Sequence, residues 1–275
     1  MKNIGFIDLY LNEWHADNYP AWIREACRET GLAYQPAYAY ASAEAPEELH
    51  RMSNAAWCEK HHMSLCRTAE EVCEKSDALL VLAPSNPETH LGFAETVLRY
   101  GKPTYIDKPF APDAQTAERI FSLADRYGTP IFSTSALRYA DELEGLSDKP
   151  EHIITWGGGS NLPEYLIHQA EMVVRLLKDD PVSFTAETQG QQSFMHANFA
   201  RGGKATMIYA APLPFAVCAD TRGGQKYAPV ASPYFKTLIR TILEFYESGK
   251  PPFDRSETLQ VMRLCDGAKQ ALALR

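Results

Sequence analysis

Two patterns in this 275-residue chain put chemistry-bearing side chains at the ends of apolar runs. In residues 77–109, an apolar run over 78–83 ends in Pro84-Ser85-Asn86-Pro87. A helix-patterned segment follows, with His90 near its start and a stop at Gly101. A second apolar run, Thr104–Ile106, ends in Asp107-Lys108-Pro109. This reads as strand–loop–helix–strand with polar residues at both strand exits. In open α/β sheets ligands bind at the carboxyl ends of the strands, so Asn86, His90, Asp107 and Lys108 are expected to converge. The second pattern is Glu164-Tyr165-Leu166-Ile167-His168-Gln169-Ala170-Glu171. Offsets of four and three place both glutamates on one helical face with His168. A histidine oriented by a carboxylate can take a hydroxyl proton near neutrality. A lysine can hold a hydroxyl, polarise a carbonyl or, when burial lowers its pKa, accept the proton itself.

The first pattern resembles the Gfo/Idh/MocA family of NAD(P)-dependent sugar and cyclitol oxidoreductases. That family has a Pro-x-x-x-His loop after one strand and Glu-Lys-Pro after the next, matched here by Pro84, Asn86 and His90 and by Asp107-Lys108-Pro109. The Glu164–His168–Glu171 helix resembles the family's Asp-x-x-x-His-x-x-Asp, with glutamates in place of aspartates. The resemblance implies a homodimer or homotetramer oxidising a hydroxyl of a sugar, cyclitol or related polyol. It implies catalytic roles for Lys108 and His168, which would come from different domains. Glu164, Glu171 and Tyr139, the last at the domain junction, are the substrate-contact candidates.

The cofactor signatures depart from the family. A Rossmann first loop carries glycines that let a diphosphate approach a helix N-terminus. Here the chain reads Gly5-Phe6-Ile7-Asp8-Leu9-Tyr10-Leu11-Asn12-Glu13-Trp14-His15, with Gly5 alone and two carboxylates where the diphosphate belongs. His15 resembles the family's histidine after this loop, displaced by about two residues. Strand two ends Tyr40-Ala41-Ser42-Ala43-Glu44, where Ser42 or Glu44 would meet a ribose and no arginine awaits a 2′-phosphate. The cofactor candidates are therefore Gly5, Asp8, His15, Ser42, Pro84, Asn86, His90, Asp107 and Lys108, with NAD preferred over NADP. A non-redox homologue, keeping the fold as a small-molecule binding or regulatory module, is the alternative that the altered loop favours.

The remaining chain supplies the scaffold. Strand and helix patterns alternate to about residue 137, predicting a Rossmann-like, doubly wound parallel sheet. The second strand reads 32–41 with Pro36 weakening it, and helical segments are expected at 21–30, 46–61 and 113–127. Residues 138–275 read as an α+β domain: one helix near 165–177, a mostly antiparallel, open-faced sheet of strands near 182–189, 193–199, 205–211 and 214–219, and closing helices at 234–248 and 256–273. A formal net charge of −8 argues against nucleic acid and anionic lipid as partners. No run approaches a membrane span, and Met1–Phe6 reads as a first strand rather than a leader. Six dispersed cysteines suit a reduced, cytoplasmic setting. Cys58, His62 and Cys66 would share a face of a continuous helix and could bind zinc. A helix ending near His61 makes them ordinary core, and no metal is expected.

Overall fold

The computed structural model describes residues 1–146 and 150–273. The chain forms two compact units, Met1–Ser133 with Leu238–Pro252, and Thr134–Thr237 with Phe253–Arg275. The return of Leu238–Pro252 to the first unit is a feature that a contiguous division at residue 137 does not contain.

The first unit runs β1 (Lys2–Asp8), α1 (Trp14–Thr30), β2 (Tyr34–Ala41), α2 (Asn54–His61), β3 (Ser64–Leu65), α3 (Ala69–Lys75), β4 (Ala78–Val81), α4 (His90–Val97), β5 (Thr104–Ile106), α5 (Ala114–Tyr127) and β6 (Ile131–Phe132). All six strands are parallel, in the order β3-β2-β1-β4-β5-β6. The order reverses between β1 and β4, which is where such sheets open a ligand site beyond their carboxyl ends. Pro36 is tolerated because β3 pairs β2 only at Tyr38 and Ala39, so position 36 lies on a local edge. The pairing with β1 shifts beside it, between Ile4 and Gly5.

Three local features set the entries to this sheet's carboxyl end. Helix α1 starts at Trp14, seven residues before the apolar spacing suggests, and carries Pro20 inside it. Glu13 caps it, and His15 and Tyr19 are buried in its first turns, which offsets the hydrogen bond Pro20 cannot donate. Between 46 and 61 the expected single helix is a short 3₁₀ turn, Glu47–Leu49, and then α2, capped by Ser53. Helix α2 ends at His61 with His62 left-handed. Positions 58, 62 and 66 therefore share no helical face, and burial pushes the Cys58 thiol up to about 12. No metal-holding cluster of three such residues is present among the described residues.

The second unit holds β7 (His152–Gly157), α6 (Leu162–Leu177), β8 (Pro181–Gln189), β9 (Gln192–Phe199), β10 (Lys204–Tyr209), β11 (Ala216–Thr221) and β12 (Gly224–Pro229). The closing helices of the chain are α7 (Tyr234–Ser248), most of which belongs to the first unit, and α8 (Arg255–Ala271). The strand order is β12-β11-β7-β10-β9-β8, antiparallel except for β7 beside β10. Strand β12, unexpected from the sequence, is polar and short of apolar alternation, so its pairing with β11 is what makes it a strand. Helices α6 and α8 pack on one face. Gln169 of α6 accepts from Thr155 and donates to the carbonyl of Ile208, and Gly267 of α8 lies against the Phe184 ring. The opposite face keeps Ile154, Trp156, Phe194 and Ile208 half-buried, with Trp156 stacked on the exposed Tyr227.

Gly5 is a packing residue rather than part of a phosphate turn. It sits inside β1, where a Cβ would come within 2.3 Å of Val72 Cγ1 and 2.5 Å of Ser76 Oγ on and after α3. Gly5→Ala should lower unfolding free energy by about 1–3 kcal/mol, the usual cost of overpacking. Chemical denaturation reads it, and an unchanged midpoint would show that α3 gives way freely.

Candidate active site

The exit of β5 and the start of α1 gather three of the expected residues, His15, Asp107 and Lys108, into one hydrogen-bonded group. Asp107, fully buried at the exit of β5, accepts from the Lys108 N–H at 2.8 Å and from the Tyr105 hydroxyl at 3.2 Å. Its other oxygen takes a short hydrogen bond from His15 Nδ1, and the His15 ring stacks on Tyr19 with centroids 5.3 Å apart. Burial alone would raise the Asp107 pKa. The facing His15 and the Lys108 charge outweigh it and hold the carboxyl below the usual range. Lys108 is 6% exposed, and its ammonium makes no hydrogen bond or ion pair with another of the described residues. Its Nζ is not sealed from solvent, so the amine is open to an oxygen of a ligand.

Asp8 ends β1 as a second buried carboxylate and behaves oppositely. One oxygen accepts from the Leu9 N–H at 2.7 Å, and the other has no hydrogen-bond partner. Burial first, then the Glu13 charge, raise its pKa well above the ordinary value. Glu13 is raised as well, chiefly by burial. Its carboxylate accepts from the backbone N–H groups of His15 and Ala16 at 2.9 and 2.6 Å. These are the helix N-terminal donors that a dinucleotide diphosphate takes in a Rossmann domain. As folded, the first loop therefore does not fit a diphosphate: its donors serve the chain's own carboxylate, and the surrounding charge is negative.

The other residues expected at the cofactor have different tasks. His90 is wholly buried and bridges the Phe110 and Leu82 carbonyls, with its pKa lowered by burial. It ties the exit of β4 to the segment after Lys108. Pro84 is buried at the exit of β4, after Ala83, whose φ of +60° is left-handed. Asn86 is half-exposed, and its amide donates to Glu88 at 3.0 Å. Ser42 is exposed at the end of β2, its N–H donating to the Asp8 carbonyl at 3.1 Å. Glu44, the other ribose candidate, accepts from the Asn54 N–H at 2.9 Å.

In the second unit, His168 Nδ1 lies 2.6 Å from the Ser135 hydroxyl, which also accepts from the Leu137 N–H at 3.2 Å. The His168 ring is held edge-on by Tyr165 and Phe215. Glu171, expected at the substrate, is buried in an ion pair with Arg138. Its carboxylate takes Arg138 Nη1 at 3.0 Å and the Ser135 N–H at 3.1 Å, both buried. Arg138 also bonds Glu257 and lies 3.7 Å from the Phe253 ring centroid. Burial raises the Glu171 pKa, with Arg138 opposing it. Glu164 sits in the first turn of α6, its N–H and carboxylate bonded to the Asn161 cap at 2.9 and 3.1 Å. Tyr139 ends a 3₁₀ turn, Ala136–Tyr139, that Ser135 caps. Sequence reading passed over Ser135, Arg138 and Glu257, because their partners are 33 to 119 residues away along the chain.

The shifted carboxyl of Asp8 has a measurable sign. A folded-state pKa above the ordinary 3.8 means that the folded chain holds this proton more tightly than the unfolded chain. Its stabilising contribution is thus full below that value and is lost as pH rises toward the raised pKa. Relative to the parent, Asp8→Asn should gain stability as pH rises from the ordinary carboxylate range through the raised pKa. Denaturation curves from pH 4 to 8 check it, and a variant less stable than the parent at pH 7 would mean that Asp8 is paired as an anion.

Residues 34–135 match a family model described as an oxidoreductase family with an NAD-binding Rossmann fold, Gfo/Idh/MocA. No curated protein sequence matches the chain. Among solved structures, myo-inositol dehydrogenase from Lactobacillus casei, in complex with NAD(H) and myo-inositol, superposes with a TM-score of 0.81 at 11% identity, over 99% of this chain and 95% of that one. UDP-N-acetylglucosamine 3-dehydrogenase from Acidithiobacillus ferrooxidans gives 0.78 at 14% identity, covering 99% and 98%. Biliverdin reductase from Synechocystis, bound to biliverdin and NADP+, gives 0.69 at 14% identity, covering 98% of each chain. At these identities the superpositions establish the fold, a parallel Rossmann-like sheet plus a mostly antiparallel one. The strand-exit motifs lie inside the segment that matches the Gfo/Idh/MocA family model, and the chain as a whole carries the two-sheet fold of these structures.

Proposed function

We propose that this protein is an oxidoreductase acting on a hydroxyl of a sugar, cyclitol or related polyol. The observation that carries the reading is Lys108, a largely buried side chain whose ammonium has no partner among the described residues and is not sealed from solvent, beside an ionised Asp107 at a strand exit of the Rossmann-like sheet. A hydroxyl or nascent carbonyl oxygen satisfies such an amine, and Lys108 orients it. His168 handles the proton, its imidazole steered through Nδ1 by Ser135, which is itself fixed by Glu171 and the Leu137 N–H. Two of the fold relatives named above are dehydrogenases of myo-inositol and a UDP-linked sugar, which supports this substrate class.

NAD is preferred over NADP in this reading. No basic residue stands in 40–44 after β2, and the Arg51 guanidinium is spent on the Tyr10 ring and the Asn12 carbonyl. We assign the half-buried apolar face of the second sheet, around Trp156 and Ile208, to a second copy of the chain, as a homodimer or homotetramer. Six free cysteines suit a reduced, cytoplasmic setting, and no described helix is long and apolar enough to cross a membrane. The Glu13 carboxylate on the α1 N-terminus favours a second reading, a non-redox binding or regulatory module.

Lys108→Ala and His168→Ala should each lower turnover of a polyol substrate by about 10²–10⁴-fold with the fold retained by circular dichroism. The assay follows NADH formation across a panel of cyclitols and sugars. Full turnover in either variant removes that residue from the chemistry. Absence of any dinucleotide-dependent turnover, together with polyol binding by calorimetry, establishes the non-redox reading instead.

A further inference from the structure

We infer that Glu13 is a built-in stand-in for the dinucleotide diphosphate, seated on the N–H groups that the diphosphate needs, and that it must turn away before a dinucleotide can seat. The inference deepens the NAD reading proposed above and rests on it only for the identity of the natural ligand.

The backbone donors of the first loop are committed within the chain. The Leu9 N–H goes to Asp8, the Leu11 N–H to the Asn54 side chain at 2.9 Å, and the Glu13 N–H to the Leu11 carbonyl at 2.9 Å. His15 and Ala16 give theirs to Glu13. In a glycine-rich Rossmann loop, such donors and the helix dipole are kept for phosphate oxygens. Here the loop is also fastened from outside. Met52 N–H donates to Asn12 Oδ1 at 2.9 Å, and the Asn54 amide donates to the Ala43 carbonyl at 2.8 Å. The loop thus keeps its shape with no phosphate.

A plain helix cap does not explain the choice of residue. Serine, aspartate or asparagine caps a helix from a short side chain, whereas glutamate is not a favoured N-cap. A glutamate here brings a half-buried carboxylate into a group that already holds Asp8 and Asp107, and its charge adds to the burial that raises the Asp8 pKa. That electrostatic cost is the one a bound diphosphate would also meet. Glu13 reproduces the diphosphate's two acceptor oxygens on successive N–H groups, and its longer chain can swing out without unwinding the helix.

The test is calorimetry of the parent, Glu13→Ala and Glu13→Gln with inorganic pyrophosphate and, separately, with NAD+. Glu13→Ala should bind pyrophosphate about tenfold or more tightly than the parent, the scale of a lost cap plus a lost repulsion. NAD+ should follow the same order. Glu13→Gln keeps the cap through its amide oxygen and loses only the charge, so a gain of a few fold is expected. It also serves if Glu13→Ala does not fold. Unchanged pyrophosphate affinity in the folded variants overturns the stand-in. A gain for pyrophosphate without one for NAD+ upholds the stand-in and removes the NAD reading.

Discussion

Asp107 is a carboxylate with no access to solvent, and it stays ionised because three donors and a nearby ammonium surround it. Burial of an isolated carboxylate would cost several kcal/mol, so the group either finds partners or takes a proton. The partners here come from the start of α1, from β5 itself and from the backbone of the next residue. One charge therefore fixes where α1 begins relative to the exit of β5. The position of Glu13, two residues before His15, and that of Lys108, one after Asp107, both follow from it.

The neighbouring carboxylates show the same physics with the opposite outcome. Asp8 is buried and Glu13 half-buried at the same end of the sheet, and burial raises both pKa values, with the Glu13 charge adding to the rise at Asp8. Environments that push like groups apart are how one site comes to hold both a charged and a protonatable acid. In the second unit, a charge is managed differently. Arg138 is shared by Glu171 and Glu257 and covered by Phe253, a closed ion group whose work is to hold Ser135 against His168. Glutamates that a helical spacing would hand to a substrate are thus spent on support.

Much of this was legible in the sequence, for identifiable reasons. The parallel sheet showed itself because each strand is a short apolar run followed by a helix with a glycine or polar stop. Helices α5 and α7 follow the apolar spacing closely, α5 with its Asp113 cap and Gly128 stop. The Asp107-Lys108 exit was visible because polar residues after an apolar run at a strand end have few structural uses. The early start of α1 was hidden by Pro20 and by the polar residues Asn12 to His15, whose role appears only once His15 meets Asp107, 92 residues away. Strand β12 lacked any alternation to announce it. The true partners of His168 and Glu171 come from a 3₁₀ turn and a distant helix, contacts that no local spacing encodes. Gly5 and His90 show that residue types common in binding loops also serve packing and carbonyl pairing in a core.

The loop chemistry and the family fold together define what the protein must reconcile. A Rossmann-like sheet, matched over residues 34–135 by the model of an NAD-binding family, carries a carboxylate of its own on the first N–H groups of α1. The measurement that bears on this most directly is a pair of crystal structures, one without dinucleotide and one grown with NAD+ at saturating concentration. The account predicts Glu13 seated on the His15 and Ala16 N–H groups in the first, and turned out with a diphosphate in its place in the second. A dinucleotide bound in the sheet's switch point while Glu13 remains on those two N–H groups would contradict it.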